Sequence, residues 1–278
     1  MKIPRFCFNF RHKCNMRCPY CYIPFVDKEA GTLELWKKLV DRLMAFSPEL
    51  ITFGGGDPFA YPDFPALIEY CRQFDVKIHV DTNCIGLTRE TLDDIGAHIA
   101  MLGIPLDGDE EYHNSTRRYN RHYQTLMASL DCATVQKVPT KINTVYYPEH
   151  KQQLYHVANV IRQHKNVQQW FIYEYWHFKN INAAENYDYS IFDFEKEYPV
   201  LRELSGIGNI HFSPVAERVG AYLFISSCGC LYTVSSEGDQ YIELGNLLEK
   251  TDDEIYRMVT NIDKISNRTQ LKIKVSGC

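Results

Sequence analysis

Apolar positions along this chain switch between two periods. Arg5–Phe10 is a short apolar run of strand character. Within 33–46, Leu35, Leu39, Leu43 and Phe46 recur at helical spacing, and Pro48 ends that segment. The exchange then repeats. A strand is predicted over 49–53 and broken at Gly54-Gly55-Gly56-Asp57-Pro58, and a helix over 63–74 has Pro65 in its first turn, where proline is tolerated. A strand over 76–82 turns at Asn83, and a helix over 88–96 is capped by Thr88. Strands follow over 99–105, 141–147 and 169–176, with helices over 109–130, interrupted near 114–120, and over 149–163.

Six strands alternating with helices of this length predict parallel βαβ units. No glycine-rich dinucleotide fingerprint follows the first strand, which argues against a Rossmann domain. After about residue 180 the pattern changes. A polar stretch over 180–189 leads to a helix over 194–204, short strands over 209–212, 221–226, 231–235 and 240–244, a helix over 252–261 and a last strand over 271–274. We therefore expect a core over 1–180 and an α+β extension over 181–278 that packs on its open edge.

Composition changes this picture little. At 45% hydrophobic and 23% charged residues, the chain is of ordinary globular type. A net charge of −5 argues against a dominant nucleic-acid footprint, so no nucleic acid is expected as partner. No apolar run is long enough for a membrane span, and Met1-Lys2-Ile3-Pro4-Arg5 lacks the features of a signal peptide, so the expected location is cytoplasmic. The ten cysteines then read as metal ligands or free thiols rather than disulfides.

Three of them, Cys14, Cys18 and Cys21, are spaced C-x3-C-x2-C directly after the first strand. Three thiolates can hold three irons of a cubane and leave the fourth iron without a protein ligand, whereas a closed zinc site needs four. With Tyr20 as the aromatic of C-x3-C-x-aromatic-C, the segment resembles the signature of the radical S-adenosylmethionine (SAM) superfamily. The resemblance implies a 4Fe-4S cluster on these cysteines, with SAM chelated to its open iron. It also implies reductive cleavage of SAM to a 5′-deoxyadenosyl radical that abstracts hydrogen from a substrate, and an electron donor such as flavodoxin or ferredoxin. The fold implied is a partial (β/α)6 TIM-like barrel, in which chemistry sits at the carboxyl ends of strands. The cysteine loop, the 54–58 turn, Asn83 and Asp107 all fall at such ends.

Glycines such as Gly55 and Gly56 let the backbone approach a ligand, though a bare turn is the alternative on this stretch alone. Beside the cysteine motif the stretch is similar to the family's GGEP turn, with Asp57 in place of Glu before Pro58. Thr82 and Asn83 look like its strand-end Ser/Thr-Asn-Gly, with Cys84 in place of Gly and a simple Asx turn as the alternative, and Leu106-Asp107-Gly108 like its S-L-D-G segment. The resemblance places Tyr20, Gly55, Gly56, Asp57, Pro58, Thr82, Asn83 and Asp107 at SAM. Arg117 and Arg118 are candidates to clamp a phosphate or carboxylate, or form a solvated face. Lys141 and Asn143 lie on one side of a strand, where burial without a partner is costly, which favours ligand contact. Cys228 and Cys230, with the terminal Cys278, are too few and too closely paired for an auxiliary cluster.

Residues 14–22, 53–59, 67–71, 141–145 and 221–225 together resemble the viperin-like enzymes, which dehydrate CTP to its 3′-deoxy-3′,4′-didehydro analogue. That resemblance implies a nucleotide in the barrel, with Lys141 and Asn143 towards it, Arg117 or Arg118 on phosphate, and Tyr222 closing the site. Gln168-Gln169-Trp170-Phe171-Ile172 lacks the basic residues those enzymes carry on the sixth strand, so a nucleoside or a less phosphorylated nucleotide also fits. Glu174 and His177 near that strand's end are candidates to bind hydroxyls or a base, or else a surface-lining pair. A maturase acting on a peptide or protein is the alternative, and a non-enzymatic Fe–S module a more distant one.

Overall fold

The computed structural model describes residues 2–185 and 187–260. The core alternation is as read. Strands β1 (Arg5–Phe10), β2 (Leu50–Gly55), β3 (Lys77–Asp81), β4 (Met101–Pro105), β5 (Thr140–Tyr146) and β6 (Val167–Glu174) pair in parallel in chain order. Helices α1 (Leu33–Met44), α2 (Phe64–Cys71), α3 (Arg89–Ile95), α4 (Glu110–Arg117), α5 (His122–Val135) and α6 (Gln152–Gln163) intervene. Thr32, Thr88 and Asp109 cap α1, α3 and α4 by accepting from backbone amides. The helix expected over 109–130 is two helices, separated by a turn in which Arg118 and Arg121 take left-handed φ of 51° and 66°.

The remaining strands continue this sheet at both edges. After α7 (Phe194–Ser205), β7 (Ile210–Ser213) pairs in parallel with β6. Following α8 (Val215–Arg218), β8 (Phe224–Ser226) pairs in parallel with β1, and β9 (Cys230–Val234) and β10 (Tyr241–Asn246) extend it antiparallel. The resulting sheet has ten strands in the order β10-β9-β8-β1-β2-β3-β4-β5-β6-β7, with no pairing of β10 to β7, so the barrel is open. Helix α9 (Asp252–Thr260) ends the described chain. The strand expected over 271–274, and Cys278, lie outside the described residues.

Side-chain alternation on β1 divides the molecule. Phe6, Phe8 and Phe10 are fully buried against the helices, where Phe46, Phe53, Trp36 and Phe64 meet them edge-on or tilted. Arg5, Cys7 and Asn9 turn to the other face and line a cavity.

Candidate active site

The cavity measures about 300 Å³ on the concave side of the sheet. The cysteine loop forms one wall. Tyr61 anchors the loop's start, its hydroxyl donating to the Lys13 carbonyl at 3.0 Å and accepting from the Lys13 amide at 3.2 Å. Gly56 donates to the Phe10 carbonyl at 2.8 Å, and a Cβ there would lie 2.5 Å from the Lys13 carbonyl oxygen. Only glycine permits so close an approach. Gly55 adopts a φ of +92° beside Asn9. The glycine turn thus supports the cysteine loop from below.

Cys14, Cys18 and Cys21 are free, half-buried thiols on this one wall. Among the described residues, no three His, Cys, Asp or Glu groups converge on a single metal ion. A cluster does not call for such convergence, because each iron takes its own thiolate. Burial raises all three thiols above their usual range, Cys21 to about 12, so a group that held them as thiolates would have to supply the positive charge that offsets this burial. The donor set present therefore suits a 4Fe-4S group.

Asp57 is buried and fully engaged. Its carboxylate accepts from the Asn83 amide at 2.5 Å, the Thr82 hydroxyl at 2.9 Å and the Phe59 amide at 2.9 Å. Burial pushes its pKa up, and these bonds oppose the rise. Asp57 therefore ties the β2 end to the β3 end. The Asn83 amide group lies 2.5 Å from Asn15 Oδ1 and 3.6 Å from Cys14 Sγ, so it reaches the cysteine loop.

Asp107 sits behind the cavity wall. Arg117 grips it at 2.7 and 3.2 Å, the Val145 amide donates at 2.9 Å and the Tyr20 hydroxyl at 3.3 Å. Arg117 and Tyr20 line the cavity and Asp107 does not. The Asp107 amide donates to His113 Nδ1 at 3.2 Å, which places the His113 proton on Nε2. His113 Nε2 then donates to His122 Nδ1 at 2.7 Å, and His122 Nε2 to the Asn83 carbonyl at 2.8 Å. The two rings stack with centroids 4.9 Å apart. Burial first, and Arg117 second, hold both below the usual histidine range, His122 at about 4.

The opposite wall is built on Asp81. Asn143 Nδ2 donates to its Oδ1 at 2.9 Å, Lys141 Nζ lies at 3.5 Å and His79 Nε2 at 3.1 Å. Despite burial, these partners hold Asp81 well below the usual carboxylate range. Burial lowers His79 to about 4 and also lowers Lys141, which Asp81 opposes. Arg5 donates to Thr52 at 3.1 Å, and Thr52 meets His79 at 3.2 Å. Tyr22, Tyr173, Tyr222 and Trp176 complete the wall with Arg218, whose guanidinium lies 4.7 Å from the Trp176 ring and 5.5 Å from that of Tyr173.

Of the residues singled out from sequence, the cavity wall brings together Cys14, Cys18, Cys21, Tyr20, Gly55, Gly56, Asp57, Thr82, Asn83, Arg117, Lys141, Asn143, Glu174 and Tyr222. Pro58 lies buried in the short turn after Asp57. Arg118 is exposed at the α4 terminus, and His177 Nδ1 is 2.9 Å from the Ala183 carbonyl oxygen, both off this wall. Arg5, Cys7, Asp81, Tyr173 and Arg218 line it and were missed. Alternation from Asn143 and Lys141 points to a buried carboxylate partner, and that signal would have found Asp81.

A family model described as the radical SAM superfamily matches residues 8–161. An "S-adenosylmethionine-dependent nucleotide dehydratase" from Lacinutrix mariniflava is 30% identical over 124 residues, which are 41% of this chain and 25% of that protein. A "PqqA peptide cyclase" from Streptomyces rochei is 33% identical over 87 residues, 30% of this chain and 24% of that protein. In the curated relatives, matches of this kind span about a quarter to a third of the protein's length. Among solved structures, SuiB of Streptococcus suis bound to S-adenosylmethionine superposes with a TM-score of 0.72 at 16% identity, covering 92% of this chain and 66% of that one, a likeness of fold.

Proposed function

The chain belongs to the radical SAM superfamily, and we propose that the substrate of its hydrogen abstraction is a nucleotide or nucleoside, dehydrated as by the viperin-like enzymes. It is a radical SAM enzyme with a 4Fe-4S cluster and SAM as cofactors. Bound there, these supply a 5′-deoxyadenosyl radical able to take a hydrogen atom from a neighbouring carbon. The rest falls to side chains of this chain.

One observation carries the substrate reading. Lys141 and Asn143 share Asp81 and face the same cavity as the three cysteines. A lysine and an amide placed there can engage phosphate or ribose oxygens while Asp81 fixes their orientation. Asp57, by holding both the Thr82 hydroxyl and the Asn83 amide, keeps the SAM end of the wall rigid. Tyr22, Tyr222 and Trp176 give the opposite end an aromatic lining suited to a base. The activity for which the Lacinutrix relative is named supports the same class.

Reconstituted protein incubated with SAM, dithionite and a panel of nucleotides, nucleosides and peptides tests the reading. One nucleotide or nucleoside should raise 5′-deoxyadenosine release well above the rate without substrate. Stimulation by a peptide alone would point instead to a maturase. Absence of SAM cleavage with a full cluster would refute the enzyme.

A further inference from the structure

Two guanidinium groups in this cavity have more donors than partners. Arg5 and Arg218 are both on the wall, and the Nε of each is buried without a hydrogen-bond acceptor. Arg5 spends Nη2 on Thr52, and Arg218 spends Nη2 on the Glu174 carbonyl. Neither forms an ion pair with a carboxylate among the described residues. Both share the cavity wall with Tyr173 and Tyr222, and the Arg218 guanidinium lies 5.5 Å from the Tyr173 ring. A buried donor left unmet costs stability, and native proteins leave few of them. Two on one cavity wall mark a place where a ligand supplies the acceptors.

Charge narrows the ligand. On this side of the cavity Arg5, Lys141 and Arg218 face Asp81 and Glu174, three cations against two carboxylates. Asp81 already serves Lys141, Asn143 and His79, and Glu174 Oε2 accepts from the Val215 amide at 2.5 Å. At the cysteine end, Arg117 is matched by Asp107, and Asp57 by Thr82 and Asn83. One positive charge is left over, beside the two orphaned Nε donors. A phosphate monoester carries up to about two charges and several acceptor oxygens, and suits it. A triphosphate adds further charges for which this wall holds no further cation, and the β6 residues on it, Tyr173 and Glu174, add none.

We propose that Arg5 and Arg218 form a two-sided clamp for a single phosphate monoester, so that the substrate is a nucleoside monophosphate rather than a triphosphate. This rests on the nucleotide reading above. Lys141 and Asn143 then contact the sugar side, and the arginines hold the phosphate.

Isothermal titration calorimetry on cluster-loaded, SAM-bound protein tests it without turnover. The titrants are the common nucleoside 5′-monophosphates, their triphosphates, the nucleosides and inorganic phosphate. One monophosphate should bind about tenfold or more tighter than its own triphosphate and nucleoside, the size of one charge-assisted contact. Arg5→Met and Arg218→Met should each cost that preference about tenfold while leaving nucleoside affinity unchanged. Arg218→Lys, which keeps the charge and loses the fork, should fall between them, and serves if the methionine variants misfold. A triphosphate that binds tightest, or variants that weaken nucleoside and monophosphate alike, overturns the clamp and leaves the nucleotide reading standing. If no nucleoside derivative binds but inorganic phosphate does, and Arg218→Met abolishes it, the clamp stands and the nucleotide reading falls. If neither binds, both fall.

Discussion

His122 donates from Nε2 to the carbonyl of Asn83 at 2.8 Å, so a helix that lies off the cavity wall holds the strand end that forms it. His113 completes the chain back to the Asp107 amide, and the direction of every proton in it follows from that one backbone donor. Replacing His122 by Leu leaves the Asn83 carbonyl unmet, a cost of about 1–3 kcal/mol to the local arrangement. SAM affinity measured by equilibrium dialysis on cluster-loaded protein should fall several-fold. Unchanged affinity would mean that Asp57 alone positions Asn83.

Three buried histidines set an acid limit on stability. His79 and His122 titrate near 4 in the folded protein and His113 lower still, against an ordinary value of 6.5. Between those values the unfolded chain binds protons that the native state refuses, so stability rises with pH across that window and levels off above it. Each group contributes about 1.4 kcal/mol per pH unit there. Urea midpoints should be flat above about pH 7 and drop between about pH 6.5 and 5, with a shallower slope in a His113→Asn, His122→Gln double variant. A midpoint constant down to about pH 5 would contradict the neutral assignment.

The cysteines should separate cleanly. Cys14→Ala, Cys18→Ala and Cys21→Ala should each reduce bound iron and sulfide after reconstitution. A Cys228→Ala, Cys230→Ala variant should keep the wild-type content, because those thiols turn to the Glu29 and Leu231 carbonyls. Iron lost from the double variant, or retained in all three single variants, would relocate the cluster.

Gly56→Ala places a methyl 2.5 Å from the Lys13 carbonyl and 2.6 Å from that of Phe10, both backbone atoms. The cysteine loop has to move. Iron retention during gel filtration should fall, with the far-UV spectrum little changed. Full retention would show that the loop has room to spare.

Arg117→Met removes the partner of a fully buried carboxylate and should cost about 3–5 kcal/mol, read by chemical denaturation. Tyr20→Phe breaks one 3.3 Å bond to the same carboxylate and should cost about 1 kcal/mol. Equal losses would place the energy in packing rather than in the ion pair.

The strand ends were legible because glycine, proline and asparagine interrupt clean apolar runs there, and the cysteines announced themselves by spacing. Arg5 was hidden as the first letter of a strand read only as apolar; its alternation, which sets Phe6, Phe8 and Phe10 on one face and Arg5, Cys7 and Asn9 on the other, was not drawn from it. Arg218 lies in a four-residue helix whose place depends on pairings distant in sequence, which no local pattern encodes. The same holds for the edges. Strand character was visible at residues 209–212 and 221–226, but not that one joins β6 and the other β1. The histidine pair escaped because His113 and His122 meet only through a left-handed turn, where a broken helix was all that periodicity could reveal.

The pairing of Cys7 with Phe224 has a consequence for how the molecule is made. Synthesis delivers the cysteine loop well before the strand that covers the edge of β1. Until then the outer edge of β1 presents bare backbone, an invitation to pair with another chain. Arg218 and Tyr222 arrive just ahead of β8. That wall of the cavity is therefore completed after the cysteine loop, and a nascent chain that binds iron early would carry it before this wall is in place.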